Sequence, residues 1–599
     1  MHTIDFEPVG RRGKCPDGES LLECGRRLNV DIVSICGGMG ICHQCRVQVI
    51  SGPVSGRTPE EAAAFSEQER GRNCRLACRT WPQGDVKVHI PPESLSAPQR
   101  TQVEGLEVEI EPEPLVRGLE VRLTPPTLEE PTADEQNLKR AIGEQHGVRA
   151  GIVDLGVLQE GFPKIREWGW RLSAALRGNE VVALGAPATR WLGLAVDIGT
   201  TKIACYLVDM QTGKTLGSRG LMNPQIACGE DVIARIYAAG KGPENAGKLQ
   251  DLLVEALDKA LESLCEETGS VRSEVVDAVI VGNTAIHHLF LRLPVLQLGR
   301  SPYVPALRSA LDVKARDLGL ELAPGAWVHL LPNIAGFCGA DHVSMLLATG
   351  LAEMEGVNLA IDIGTNTEIC LNVHGRMASV SCASGPAFEG AHIRHGMRAA
   401  PGAIEHVRLS AAGLQIQTIG NQPPIGICGS GLLDVVAQLR LHGILDSGGR
   451  MLSHPLVRRL DGSREFVLVE RAGEEAITVS QKDVRELQLA KAAIRLGIRA
   501  LCEAEGLEEG VIGRVLIAGA FGTFIDVESA VAIGMLPPLP LERYRQVGNA
   551  AGTGARLALM SRGRRLEAER IAERTRYIEL AGIPDFGRKY AEASVIDPR

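Results

Sequence analysis

LGLAVDIGTTKIAC, residues Leu192 to Cys205, returns as VNLAIDIGTNTEIC at Val357 to Cys370, and the two stretches align without a gap. Each begins as an apolar, β-rich run and turns at an Asp-Ile-Gly-Thr tetrad, Asp197 to Thr200 and Asp362 to Thr365. A buried strand that ends in a small, Gly-containing turn brings backbone N–H groups close to a phosphate. An Asp at the strand end can hold Mg²⁺ through water, as carboxylates commonly do. One such turn is weak evidence, because strands often end tightly with no chemistry attached. Two copies with matched flanks predict a duplicated fold around a cleft, with one turn gripping a nucleotide's phosphates from each side.

The chain of 599 residues is too long for one core and predicts three or four domains. Its 44% hydrophobic and 23% charged content is that of a soluble globular protein. A net charge of −9 and few aromatics argue against nucleic-acid binding, which needs a basic surface or stacking platforms. No apolar run reaches the length of a membrane span. The opening MHTIDFEPVG shows no export signal. Fifteen cysteines in that context read as reduced thiols and metal ligands, and the expected location is the cytoplasm.

Residues 1–91 read as a unit of their own. Strand alternation over Thr3 to Pro8, a helical pattern over Ser20 to Leu28 and a strand over Arg46 to Ile50 surround a glycine-rich loop with Cys36, Cys42 and Cys45. The spacing is C-x5-C-x2-C, and Cys78 follows in an Arg-Leu-Ala-Cys segment. Glycines let a loop wrap closely and aim N–H groups at sulfur, and four thiolates are what a [2Fe-2S] centre requires. Zinc and unrelated thiols are the alternatives, although zinc sites usually show paired C-x2-C knuckles and only one is present. The stretch resembles the [2Fe-2S] ferredoxin family, and that resemblance favours Cys78 over nearby Cys74 as fourth ligand.

Residues 92–117, with proline, serine and alternating acids, read as a linker. Residues 118–190 read as a modest middle domain with a helix over Glu135 to Ile142 and no chemical motif. The duplicated unit occupies 191–599. Val-Gly-Asn-Thr at Val281 to Thr284 leads to adjacent His287 and His288, read as a polar helix start with no metal. Gly426 to Gly431, including Gly429 and Ser430, is either an anion-binding helix start or simply a tight turn. Ser480 to Asp483 forms a capping box ahead of an amphipathic helix that ends near Gly506. A strand over Val515 to Ala518 delivers Gly519 to Gly522, where an adenosine could lie on bare backbone. The Arg- and Glu-rich close of the chain reads as solvated helices.

The paired turns and the late glycine turn resemble the superfamily of acetate and sugar kinases, heat-shock chaperones and actin. The resemblance implies two ribonuclease-H-like subdomains closing on Mg-ATP. Asp197, Gly199, Thr200 and Thr201 match its first phosphate motif; Asp362, Gly364, Thr365 and Asn366 match its second. Gly519 and Gly522 match the adenosine motif, with an alanine between them where two glycines usually adjoin. Glu368 and Glu389 are candidates for orienting the hydrolytic water, or structural carboxylates at turns.

Joined to a ferredoxin-type domain, this architecture is similar over essentially the full chain to the ATP-dependent reductive activators of corrinoid proteins. The segments NPQIACGEDVIARI, VGNTAIHHLF, PNIAGFCGADH, SCASGPAFEGAHI, GICGSGLLD and QLAKAAI carry that similarity. The expected fold is thus α/β and multidomain: a β-grasp ferredoxin-type domain, a linker, a small middle domain and an actin-like ATPase. The resemblance implies ATP-dependent reduction of an inactive Co(II) corrinoid protein to Co(I), serving a methyltransferase system. It also implies a [2Fe-2S] cluster, ATP and Mg²⁺ as cofactors, an upstream low-potential electron donor and a homodimer. Other readings are an activator of another low-potential acceptor such as a radical dehydratase, a non-catalytic redox protein switched by ATP, and a small-molecule kinase. The eleven cysteines outside the cluster set, Cys205, Cys370, Cys382 and Cys428 among them, read as buried, inert thiols.

Overall fold

The computed structural model describes the chain except residues 8, 29, 31, 33–38, 41–42, 44, 92–93, 95–111, 230, 412, 461, 472–474, 520 and 598–599. Near the N-terminus, five strands form a mixed sheet in the order Arg11–Cys15, His2–Glu7, Val86–His89, Arg46–Ser51, Cys74–Leu76. His2–Glu7 runs antiparallel to Arg11–Cys15 and parallel to Val86–His89. The helix Leu21–Arg27 is started by a capping box between Ser20 and Glu23 and buries Leu21 and Leu22 against Ile4, Phe6, Leu76 and Val88. A helix grasped by a mixed sheet is the β-grasp arrangement.

Cys15, at the end of its strand, is disulfide-bonded to Cys24 of that helix, with their Cα atoms 5.6 Å apart. This corrects the reading of all cysteines outside the cluster set as reduced thiols. Both residues face the same core, and packing the helix on the sheet brings them together. Of the other such cysteines, Cys205, Cys265, Cys338, Cys370, Cys382, Cys428 and Cys502 are buried and unbonded, while Cys74 and Cys228 are half-buried.

A four-stranded sheet follows, in the order Val116–Arg122, Arg171–Arg177, Glu180–Gly185, Ile152–Val153. Its first strand begins inside the stretch read as linker, most of which lies outside the described residues. The helix Asp134–His146 covers it with Leu138 and Ile142. Trp191 donates its indole N–H to Ser173 Oγ at 3.0 Å, tying this unit to the next.

The remainder is built twice. One six-stranded sheet runs Thr215–Met222, Lys202–Asp209, Leu192–Ile198, Val275–Gly282, Trp327–Leu330, Leu311–Lys314. The other runs Tyr544–Gly548, Arg514–Ala518, Val357–Ile363, Thr367–Val373, Arg376–Cys382, Arg576–Tyr577. In each, an antiparallel hairpin carries the Asp-Ile-Gly-Thr turn, and the strand on its far side is parallel: Leu192–Ile198 on Val275–Gly282, and Val357–Ile363 on Arg514–Ala518. The near-continuous apolar strands suit sheets covered on both faces.

The helices Ala340–Thr349 and Ala550–Met560 pack together between the two sheets, in a core shared by Ala195, Val279, Ala360 and Leu516. Each fully buried Leu or Ile in such a core contributes roughly 1.5–3 kcal/mol. The helix Gln481–Ala504 starts at the expected capping box and buries Val484, Leu487, Ile494, Ile498 and Leu501.

Two expectations are overturned here. The helix Arg562–Arg574 is not simply solvated: it buries Ala568, Ile571 and Ala572 in the shared core. Its Arg565 donates to Asp277 Oδ2 at 2.6 Å. His287 and His288 do not form a polar helix start, because every residue of Thr284–Phe290 is buried. His288 is satisfied by the Thr284 carbonyl and the Leu307 N–H. Burial holds His287 neutral, with its pKa lowered to about 3. Among the described residues, no helix is long and apolar enough to cross a membrane.

Candidate functional site

The two Asp-Ile-Gly-Thr turns meet across a cavity of about 210 Å³. Asp197, Gly199, Thr200 and Thr201 line one side; Asp362, Gly364, Thr365, Asn366 and Glu368 line the other. Side chains from neighbouring segments brace both turns. On the first, Asn223 Nδ2 donates to the Gly199 carbonyl at 2.8 Å and Asn283 Nδ2 to Thr200 Oγ1 at 3.1 Å. Arg235, fully buried, donates to the Thr200 carbonyl at 2.6 Å. On the second, Ser384 Oγ donates to the Gly364 and Thr365 carbonyls at 3.3 and 3.2 Å. Gly199 is required sterically: a Cβ there would lie 2.7 Å from the Lys202 carbonyl oxygen.

Four carboxyl groups line the cavity together: Asp197 and Asp362 at the ends of their strands, Glu368 near the start of the next strand and Asp341 in the first turn of Ala340–Thr349. Burial alone pushes Asp197 up to about 6, against the Asn549 hydrogen bond that lowers it. Burial first, then the neighbouring Asp197, pushes Asp362 up to about 7. Asp341 and Glu368 are both raised, by burial first and then by each other's neighbourhood: Asp197 and Asp362 act on Asp341, and Asp341 and Asp362 act on Glu368. Buried like charges without a counterion are costly, and a cation between them reverses that cost. Among the described residues, the carboxylates do not close into a tight three-oxygen cage, so the donor set suits a hydrated cation better than a stripped one.

Two arginines stand at the cavity beside these acids. Arg398 lines it, and Arg235 stands behind the first turn. Cys428, Gly429 and Ser430 line it at the start of the 13-residue helix Gly429–Leu441, where the Ser430 and Gly431 N–H groups turn toward the Cys428 thiol. Gly429 also has a packing reason, since a Cβ there would meet the Phe388 carbonyl oxygen at 1.9 Å. Phe388 and Phe521 stack with ring centroids 4.5 Å apart and line the cavity with Phe524 and Ile419, forming an apolar end. Gly519, at φ +91°, comes so close to the second turn that a Cβ would meet Asp362 Oδ1 at 2.6 Å. Gly522 is set back, where a Cβ would meet the Ala518 carbonyl oxygen at 2.2 Å.

Glu389 and Glu368 stand in different places. Glu368 is buried on the strand beside Asp362 and accepts from Ser381 Oγ at 3.0 Å. Glu389 projects into the cleft and accepts from Thr201 and Thr365. Asp341, Asn549 and Arg398 were not anticipated as site residues. Asp341 begins a helix after a small-residue loop, and Asn549 precedes Ala-Ala-Gly-Thr-Gly; both have the look of the other phosphate turns. Arg398 has no local signal.

In the β-grasp unit, Cys45 Sγ and Cys78 Sγ lie 3.3 Å apart, both buried. The turn Ala77–Arg79 carries Cys78, and the Ala77 N–H donates to the Cys45 carbonyl at 2.8 Å. Buried Glu61 holds the approach to this turn through Arg75 at 2.8 Å, the Leu76 N–H at 3.0 Å and Thr80 Oγ1 at 3.2 Å. Cys74 is half-buried on the preceding strand, and burial raises its thiol pKa. Cys36 and Cys42 lie outside the described residues, as does Ala520 of the late glycine turn. Two thiols converging at a buried corner fit half of a four-thiolate set.

Four family models match successive stretches of the chain. Residues 4–83 match a 2Fe-2S iron-sulfur cluster binding domain, 105–190 a RACo linker region, 192–354 a RACo middle region, and 356–598 the C-terminal ASKHA domain of RACo. The chain is 37% identical over 411 residues to the corrinoid activation enzyme RamQ of Eubacterium limosum, covering 66% of this chain and 69% of that protein. It is 22% identical over 413 residues to the [Co(II) methylated amine-specific corrinoid protein] reductase of Methanosarcina barkeri, covering 64% of this chain and 72% of that one. A solved structure titled reductive activator for corrinoid,iron-sulfur protein superposes with a TM-score of 0.73 at 33% identity, covering 100% of this chain and 98% of that one.

Proposed function

We propose, for a chain that belongs to the family of reductive activators of corrinoid proteins, ATP-dependent reduction of a Co(II) corrinoid protein to Co(I). The observation that carries this reading is the pairing, in one chain, of a buried two-thiol corner with a duplicated cleft lined by four carboxyl groups. Its working parts are residues 1–91, the linker 92–117, the middle domain 118–190 and the ATPase 191–599.

Cys36, Cys42, Cys45 and Cys78 would hold a [2Fe-2S] cluster, which supplies one-electron transfer when bound. The cysteine pair sits in a rigid corner because Glu61, Arg75 and Thr80 fix the segment that delivers Cys78. Reduction of Co(II) to Co(I) needs a lower potential than the roughly −400 mV of an ordinary plant-type cluster. Such a step must be coupled to a favourable one, and a nucleotide drives it only through different affinities for two states of the protein.

The cleft is built for that nucleotide. Asp197 and Asp362 would hold a hydrated Mg²⁺ at the acidic side. Gly199, Thr200, Thr201, Gly364, Thr365 and Asn366 would face the phosphates, with Gly429 and Ser430 alongside. The stacked Phe388 and Phe521, beside Gly519, make the apolar end suited to a base. Asp341 or Glu368, raised in pKa by burial, would orient the attacking water and accept its proton. A corrinoid protein is the expected partner, with an upstream low-potential donor, a homodimeric assembly and a cytoplasmic setting.

The test is an anoxic mixture of the reduced protein with a Co(II) corrinoid protein of the same organism, followed in the visible range with and without Mg-ATP. Co(I) is expected only with ATP. Asp197→Asn and Asp362→Asn should abolish that turnover while leaving the cluster spectrum intact; unchanged turnover in both would sink their assignment. Steady ATP hydrolysis with no Co(I) for any corrinoid partner would favour the alternative, an ATP-driven donor to another acceptor.

A further inference from the structure

Among the described residues, Arg398 joins the β-grasp unit to the cleft. Arg398 donates to Glu7 Oε2 at 2.7 Å, and Glu7 closes the first strand of the β-grasp unit. The same guanidinium faces Glu389, with Nε 3.5 Å from Oε2, and lines the cavity. The other oxygen, Glu389 Oε1, accepts from Thr201 Oγ1 at 2.9 Å and from Thr365 Oγ1 at 2.5 Å. Those two hydroxyls belong to the two facing phosphate turns. A carboxylate thus occupies the pair of donors that straddles the cleft, where a phosphate oxygen would be bound.

The β-grasp unit is seated on the same loop by a second buried arginine. Arg11 donates to the carbonyls of His395 at 3.4 Å and Ile425, and the Arg398 N–H points to the Val9 carbonyl at 3.5 Å. One loop, 395–398, therefore touches the redox unit on one side and the cleft on the other.

We propose that Arg398 couples nucleotide binding to the seating of the β-grasp unit, through the chain Glu7–Arg398–Glu389, so that the two oppose each other. This rests on the nucleotide reading of the cleft. A polyphosphate entering between the turns takes the Thr201 and Thr365 hydroxyls, expels the like-charged Glu389 carboxylate and draws the Arg398 guanidinium toward itself. Arg398 then leaves Glu7, and the Glu7 carboxylate loses the partner that satisfies it in the buried interface. By linkage the effect is reciprocal: a unit that is no longer seated leaves Arg398 free for phosphate, and the nucleotide binds more tightly. The result is a redox unit held against the cleft in the empty protein and released for its acceptor when the nucleotide arrives.

The test uses the full-length, cluster-loaded protein with Mg²⁺ and the non-hydrolysable analogue AMP-PNP. Calorimetry compares the wild type with Glu7→Gln, and with Arg12→Gln, an exposed neighbour outside the interface, as control. Glu7→Gln is expected to bind the analogue about 5- to 50-fold more tightly, in the usual range of coupling between sites, and the control is expected to match the wild type. X-ray scattering on the wild type alone should show a larger radius of gyration with saturating analogue than without. Wild-type affinity in Glu7→Gln, or a scattering curve unchanged by analogue that calorimetry shows to be bound, overturns the coupling and leaves the nucleotide site standing. No binding to the wild type overturns both.

Discussion

Asn549 Nδ2 donates to Asp197 Oδ2 at 3.0 Å, joining residues 352 positions apart in the sequence. Asn549 also caps the helix Ala550–Met560 by accepting from the Gly552 N–H at 2.8 Å. One side chain thus anchors the inter-sheet helix and holds the first acid of the cleft. The hydrogen bond is the influence that lowers the pKa of Asp197, against the larger effect of burial. Asn549→Ala removes it, at a cost of about 1.5–3 kcal/mol for a bond to a charged group. ATP turnover is expected to fall about tenfold or more, and its acid limb to move to higher pH. A pH–rate profile with an unmoved acid limb would assign Asn549 to helix capping alone.

The buried acids predict how the cation-free protein responds to pH. Asp197 and Asp362 titrate at about 6 and about 7 when folded, against an ordinary value of about 3.9 when unfolded. Between those limits the folded state holds more protons than the unfolded one. Their contribution to stability is therefore complete below about pH 4 and is lost as pH rises through 6 and 7. Melting temperatures without divalent cation should decline from pH 5 to pH 8, and Asp362→Asn should flatten that decline. Mg²⁺ with nucleotide should stabilise the protein most at the alkaline end, because the cation binds the ionised acids. A flat cation-free profile would contradict the burial of these groups.

Asp341→Asn tests the residue that local sequence reading passes over. Its carboxyl is raised by burial and by the charges of Asp197 and Asp362, and it accepts from its neighbour's backbone, the His342 N–H, at 2.8 Å. If it takes the proton of the attacking water, the amide variant loses about 10²- to 10⁴-fold in ATP turnover, with the cluster spectrum intact. Retained turnover would pass that role to Glu368, and Glu368→Gln is the paired measurement.

Cys78→Ser and Cys74→Ser separate two neighbouring thiols. Cys78 Sγ lies 3.3 Å from Cys45 Sγ in a buried corner, whereas Cys74 is half-buried on the strand before it. The visible spectrum and iron content should collapse in Cys78→Ser and persist in Cys74→Ser. The reverse result would move the fourth ligand.

The sequence by itself determined the duplication, the glycine turns and the acids within them. Strand, turn and capping signals are local, and a strand ending at Asp-Ile-Gly-Thr has few conformations available to it. Asp197 and Asp362, Thr200 and Thr365, the capping box at Ser480 and the strand before Gly519 were all legible for that reason. The helix Arg562–Arg574 misled because its charge hides a narrow apolar stripe, and His287 and His288 misled because composition alone does not report burial.

Only the tertiary structure decided which distant side chains meet. Asn549 on Asp197, Arg565 on Asp277, Cys15 bonded to Cys24, and Arg398 between Glu7 and Glu389 each join elements whose spacing in sequence has no bearing on their distance in space. Their partners are chosen by the packing of two sheets about a shared helical layer and by the seating of the β-grasp unit upon it. A buried charge must find an opposite charge or a hydrogen bond, and which one it finds depends on the folded neighbourhood.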